Sequence, residues 1–217
     1  YQRTSFSETL ALWSIYKSYH EKIIPKKFTI HLLDEAAQQA QTQERRSTAA
    51  IIHKRITALQ TGTKAPAFDL ISFRDGRQSL EDFRGKFVYL NFVHTDDHAC
   101  RKDMNRMPRL LEKYGKDLSI VTVIVNEDYD RASQYVKNHQ QEGWHFLYFG
   151  MNANLMKNYN VEAVPLYYLI NPEGNLVASP APSPGENFQD TFISVFKAYQ
   201  RQLQRQNRPG QQSLFNK

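Results

Sequence analysis

Apolar residues in the first sixty positions recur at helical intervals. Leu10, Trp13, Tyr16, Tyr19 and Ile23 form one series, and Ala49, Ile52, Ile56 and Leu59 a second; this spacing lines one face of a helix. Pro25 separates the first helix from the next segment, since a proline inside a helix removes a donor and collides with the preceding turn. Between the two series, Ile30 to Gln43 is rich in Ala and Gln with a small apolar face, and Gly62 stands where a C-terminal cap belongs. Residues 1–60 are therefore expected to be a helical arm.

From Thr61 the pattern becomes that of strands. Phe68 to Phe73 leads into an Asp75-Gly76 turn, and Ser79 is placed to cap a short helical turn over Leu80 to Phe83. Phe87 to Thr95 is a nearly unbroken apolar run, as in a central strand buried on both faces. A helix is expected over Asp97 to Tyr114, with Cys100, Met104, Met107 and Leu111 on one face and a bend at Pro108. Then come a strand at Leu118 to Asn126, a helix at Asp130 to Glu142, a strand at His145 to Phe149 and a helix at Ala153 to Tyr159. Strands at Leu166 to Ile170 and Leu176 to Ala178, joined by an Asn171-Pro172-Glu173-Gly174 turn, precede a loop at Pro180 to Gly185 and a helix from Phe188 to Gln206. The alternation gives an α/β class with a central mixed sheet flanked by helices, one main domain over residues 61–206. Residues 207–217 are Gln-rich and basic and are expected to be a flexible tail.

Composition narrows the function classes. With 217 residues and 41% apolar content, the chain suits one good core plus an accessory segment. The excess of 28 Lys and Arg over 22 Asp and Glu is interleaved rather than clustered, which argues against a nucleic-acid partner. Apolar runs such as Phe87 to Val93 and Ile120 to Val125 are too short to cross a bilayer. The chain starts at Tyr1 rather than Met, so it is expected to be part of a longer protein whose export signal or membrane anchor would precede Tyr1. Its single cysteine, Cys100, cannot form a disulfide within the chain, so any redox chemistry needs a partner thiol.

Three stretches together resemble one family. They are Gly62-Thr63-Lys64-Ala65-Pro66-Ala67-Phe68-Asp69-Leu70 with Phe83-Arg84-Gly85-Lys86, then Tyr89-Leu90-Asn91-Phe92 running into Cys100-Arg101-Lys102-Asp103-Met104, and Tyr159-Asn160-Val161-Glu162-Ala163-Val164-Pro165 with Asn171-Pro172-Glu173-Gly174. The chain resembles the exported thiol-disulfide oxidoreductases of the thioredoxin-like fold (TlpA/ResA-like, Bacteroidetes type) over about two-thirds of its length. The resemblance implies a thioredoxin-like fold, a periplasmic or cell-envelope location, and a cis-proline at Pro165 beside the active centre. Val164 would then offer its backbone to an extended substrate.

The chain departs from that family where the chemistry lies. Asp96-Asp97-His98-Ala99-Cys100 replaces Cys-x-x-Cys, with Asp97 at the nucleophile's position and Cys100 at the resolving one; Asn105 stands where a proline is usual. Dithiol exchange needs a thiolate to attack and a second thiol to release the mixed disulfide, and Asp97 does neither. Asp is, however, among the best helix caps and favours the positive end of the helix dipole. A carboxylate about 4 to 5 Å away also repels a thiolate by roughly 3 to 4 kcal/mol at an effective dielectric of about 20, against about 0.3 to 1 kcal/mol gained from the dipole. Cys100 is therefore expected to be sluggish unless a protonated His98 is close.

Two functions emerge as expectations. In the first, the chain is a binding or accessory module whose groove, formed by Asp97, His98, Val164 and Pro165, takes an extended peptide through main-chain hydrogen bonds. In the second, Cys100 is a catalytic monothiol that forms a mixed disulfide with a partner protein or small thiol, a role that requires exposure. No cofactor is implied. His94, Asp97, His98 and Cys100 are of metal-ligand type, but their spacing across a strand-to-helix turn does not bring them together, and no metal is expected. His20, His31, His53, His139 and His145 read as isolated and surface or half-buried.

Overall fold

The computed structural model describes residue 14 and residues 26–39 and 42–206. The helical series from Leu10 to Ile23 and the tail 207–217 lie outside the described residues. The chain divides into two compact units, one ending at Lys64 and one beginning at Ala65. In the first, α1 (Lys26–Gln39) starts at the residue after Pro25, and α2 (Gln43–Ala58) comes after it. Leu33 and Ala49 are buried, and His53 Nε2 lies 3.1 Å from Asp34 Oδ1, so that histidine is tied to the preceding helix. Gly62 has φ +96°, the left-handed conformation expected after a helix.

The second unit opens with a hairpin, β1 (Asp69–Ser72) and β2 (Arg77–Ser79), turning at Gly76 with φ +74°. A 3-10 turn over Leu80–Phe83 comes next, and the Asp82 carboxylate accepts the Ser79 amide at 2.7 Å. The remaining elements are β3 (Phe87–Val93), α3 (His98–Met104), α4 (Met107–Tyr114), β4 (Leu118–Ile124), α5 (Tyr129–Lys137), β5 (Trp144–Tyr148), α6 (Ala153–Asn158), β6 (Leu166–Ile170), β7 (Leu176–Ala178) and α7 (Phe188–Gln206). Seven strands form one mixed sheet in the order β2-β1-β5-β4-β3-β6-β7. β3, β4 and β5 run parallel, and β6 runs antiparallel to β3. This is the α/β mixed-sheet architecture that the strand and helix pattern predicts, and the thioredoxin-like fold that the resemblance implies.

The helix expected over Asp97 to Tyr114 is in fact two, broken at Asn105 and Arg106 rather than bent at Pro108. Proline inside a helix would displace the bond to the carbonyl of Met104, whereas in the first turn of a new helix its missing N–H needs no partner. Pro108 accordingly sits in the first turn of α4. α5 ends at Lys137, five residues before the expected Glu142, with Asn138 as its cap.

Every residue of β3 and β4 is buried, as continuous apolar strands covered on both faces require. On one face Phe87, Tyr89, Val93, Ile120 and Leu169 pack with Cys100, Met104, Met107 and Phe188. On the other, Phe92 meets Tyr159 and Tyr168. Trp144, Tyr167 and Tyr168 are core residues, each under 5% exposed.

Candidate functional site

β3 delivers the chain to the site through a loop held by buried polar contacts. The Thr95 amide donates to Asn126 Oδ1 at 2.9 Å, and Asn126 Nδ2 donates to Thr95 Oγ1 at 2.7 Å. Asp96 pairs with Arg131 of α5 at 3.2 Å, and the Asp97 amide donates to the His94 carbonyl at 3.1 Å. Asp97 then has extended backbone geometry and caps α3, its carboxylate accepting the Cys100 amide at 2.8 Å. That amide, followed by the Cys100 thiol, lowers the carboxyl's pKa below its ordinary value. An ionised Asp97 thus stands where the resemblance implies the first cysteine of Cys-x-x-Cys.

Cys100 lies on the inner face of α3 and is 0% exposed. Its thiol pKa is pushed up to about 12, chiefly by burial, with the carboxylates of Asp97 and Asp103 adding to the effect and the His94 amide opposing it. The direction matches the sequence expectation but the main cause differs: loss of solvent outweighs the neighbouring charge. His98 is exposed and is not among the groups that shift the thiol.

Asp103, one turn beyond Cys100, is a part of the site that residue patterns did not single out. It is 9% exposed and accepts the Tyr167 hydroxyl at 2.8 Å and Arg106 Nη1 at 3.0 Å. Tyr167 stacks on Tyr89, whose hydroxyl donates to the Pro182 carbonyl at 2.7 Å. The only advance signal was the position of Asp103 between Cys100 and Met104 on an inward-facing helix surface. Tyr167→Phe leaves this buried carboxylate with Arg106 alone, a loss expected to destabilise the domain by about 1.5 to 3 kcal/mol. Urea unfolding of the variant, compared with Tyr89→Phe, which removes no bond to a charge, measures it.

The Val164–Pro165 peptide bond is cis. Phe92 pairs with Leu166, so the end of β3 and the start of β6 meet at the same edge of the sheet, and Val164 packs on the cluster that contains Cys100. Among the described residues nothing hydrogen bonds to the Val164 amide or carbonyl. Asp97 and His98, which follow the end of β3, and Val164 and Pro165, which precede β6, therefore lie toward the same end of the sheet, and Val164 and Pro165 are half-buried. Among the described residues no group of three His, Cys, Asp or Glu side chains converges as a metal site, and the His94 ring instead accepts the Asp96 amide at 3.2 Å. Two histidines read as isolated are engaged: His139 stacks on Tyr135, and half-buried His145 packs edge-on to Phe83. No helix among the described residues is long and apolar enough to cross a membrane.

The model of the AhpC/TSA family matches residues 61–179. Thiol-disulfide oxidoreductase ResA of Bacillus subtilis strain 168 is 27% identical over 142 residues, spanning 64% of this chain and 78% of that protein. The protein of the same description from Bacillus thuringiensis strain Al Hakam is 31% identical over 122 residues, 55% of this chain and 68% of its own length. In fold, a thioredoxin-like protein from Bacteroides caccae superposes with a TM-score of 0.63 at 19% identity, over 78% of this chain and 62% of that one.

Proposed function

This chain belongs to the AhpC/TSA family, and from that premise we propose that it is a binding or accessory module of the thiol-disulfide oxidoreductase type that does not carry out dithiol exchange. One observation supports this above the others. The position from which a nucleophilic thiolate would attack holds an ionised carboxylate engaged in capping a helix, and the only thiol lies behind it with no exposed surface. What the site retains is the means of holding an extended peptide. The open amide and carbonyl of Val164 beside Pro165 suit strand-like pairing, with Asp97 and His98 bordering the groove. We place the protein in the periplasm or cell envelope, on its resemblance to exported oxidoreductases.

Alkylation of Cys100 by iodoacetamide across pH, with the urea-unfolded chain as control, tests the proposal. In the folded protein labelling is expected to be slow, with a midpoint well above the ordinary thiol value of about 8.5. A fast reaction with a midpoint below that value would establish monothiol chemistry through a mixed disulfide instead. Because the thiol's folded pKa is raised, its contribution to stability is fully present below about pH 8.5 and is lost as pH climbs toward the folded value of about 12. Cys100→Ser should remove that alkaline slope and leave peptide binding unchanged.

A further inference from the structure

We propose that the outer face of α3 and the start of α4 form a cationic docking surface continuous with the groove, and that the peptide it receives carries acidic side chains beyond the segment paired with Val164. This rests on the reading of the groove as a peptide site and adds the chemistry of the partner.

α3 divides sharply. Cys100, Asp103 and Met104 face inward, while His98, Arg101 and Lys102 are exposed, as is Arg109 in the first turn of α4. The Arg101 amide donates to the Asp97 carbonyl at 3.1 Å, so its side chain begins one turn from the cap, and Lys102 stands one turn beyond His98. Arg106 is satisfied by Asp103. Arg101, Lys102 and Arg109 have no ion pair among the described residues. The carboxylate nearest to them on α3, Asp103, is buried and already shared between Tyr167 and Arg106. Three exposed cations that make no ion pair among the described residues, two of them on the helix that Asp97 caps, set up a favourable field for a negatively charged segment.

A short acidic segment fits better than a bilayer or a nucleic acid. Exposed Asp96 and half-exposed Asp97 border the cations at one end, and exposed Glu112 lies beyond Arg109 at the other. A broad anionic surface would meet those carboxylates, whereas an extended strand can place its acids between them and its neutral residues over the groove.

The experiment uses the full chain and an array of nine-residue peptides, each sequence present with Glu and with Gln at matched positions, and again with N-methylated backbone amides. Glu members are expected to retain the protein roughly tenfold better than their Gln partners at low salt. That preference should shrink at high salt and vanish in the Arg101→Glu/Lys102→Glu variant, while retention on Gln members is unchanged. Equal retention on Glu and Gln members overturns the acidic-partner proposal and leaves the groove intact. A Glu preference that survives in the variant overturns it by assigning the charge effect elsewhere. If N-methylation abolishes binding to Gln members, the groove stands. If the Glu preference persists through N-methylation, the cationic surface holds and the groove falls. Binding of wild type but not the variant to phosphatidylserine vesicles, with no peptide preference, overturns the proposal in favour of a membrane surface.

Discussion

Replacing Asp97 by cysteine is expected to give a protein that loses both titratable thiols on treatment with oxidised glutathione, whereas the parent chain can only form a mixed disulfide. Residues 97 and 100 bracket the first turn of α3, where Cα atoms three apart lie about 5 to 6 Å from one another, inside the range a disulfide spans. The new thiol would stand at the helix N-terminus, a position that lowers thiol pKa and supplies the attacking thiolate. It would also remove the carboxylate that now hinders Cys100. The cost is the Asp97 cap, about 1 kcal/mol, which is small against the stability of a domain this size. Thiol titration after oxidation, followed by a turbidity assay of insulin reduction with dithiothreitol, measures the gain. Two thiols remaining after oxidation would show that more than the residue at 97 keeps this chain from dithiol exchange, with the orientation of Cys100 the first suspect.

A larger loss of stability is expected from Phe188→Ala. Phe188 is 0% exposed, its ring centroid lies 3.9 Å from that of Tyr89, and it stacks on Phe192 at 6.0 Å. It anchors the start of α7 to the centre of β3, so its removal leaves a cavity where this 19-residue helix meets the sheet. Truncations of this kind cost about 3 to 5 kcal/mol. For a chain of this length that corresponds to a fall of roughly 6 to 20 °C in thermal midpoint. Differential scanning calorimetry measures it, and a fall of only a degree or two would mean that α7 contributes little to the fold. Because Phe188 and Cys100 belong to one core cluster, faster alkylation of Cys100 should accompany the loss.

Much of this molecule was determined locally by its sequence. The runs Phe87 to Val93 and Leu118 to Ile124 can only be interior strands, since neither has a polar face to give to water. The ends of β6, β7 and α7 fall where the sequence pattern places them, because Pro165, Gly174 and Gln206 bound segments of clear periodicity. The cap at Asp97 was equally legible, as an Asp before an inward-facing helical series has one obvious local use. That one cysteine cannot supply both thiols of a dithiol exchange needed nothing beyond counting.

Where the first long helix breaks was misplaced by a few residues, because proline's exclusion acts on the turn before it and Asn105 and Arg106 absorb the interruption. Other features depend on segments far apart in the chain. Asp103 meets Tyr167 across 64 residues, Thr95 meets Asn126 across 31, and Tyr89 meets Pro182 across 93. A residue's own neighbours in sequence carry no signal of such pairings, which exist only once the sheet order β5-β4-β3-β6 brings the elements together. The state of Cys100 belongs with these: its identity and its carboxylate neighbour are local facts, but the burial that dominates its raised pKa is supplied by the sheet and helices closing over it. Local pattern settled that the chain offers a single thiol one turn from a carboxylate, and only tertiary packing decided how deeply that thiol is shielded, because desolvation is a property of the assembled core.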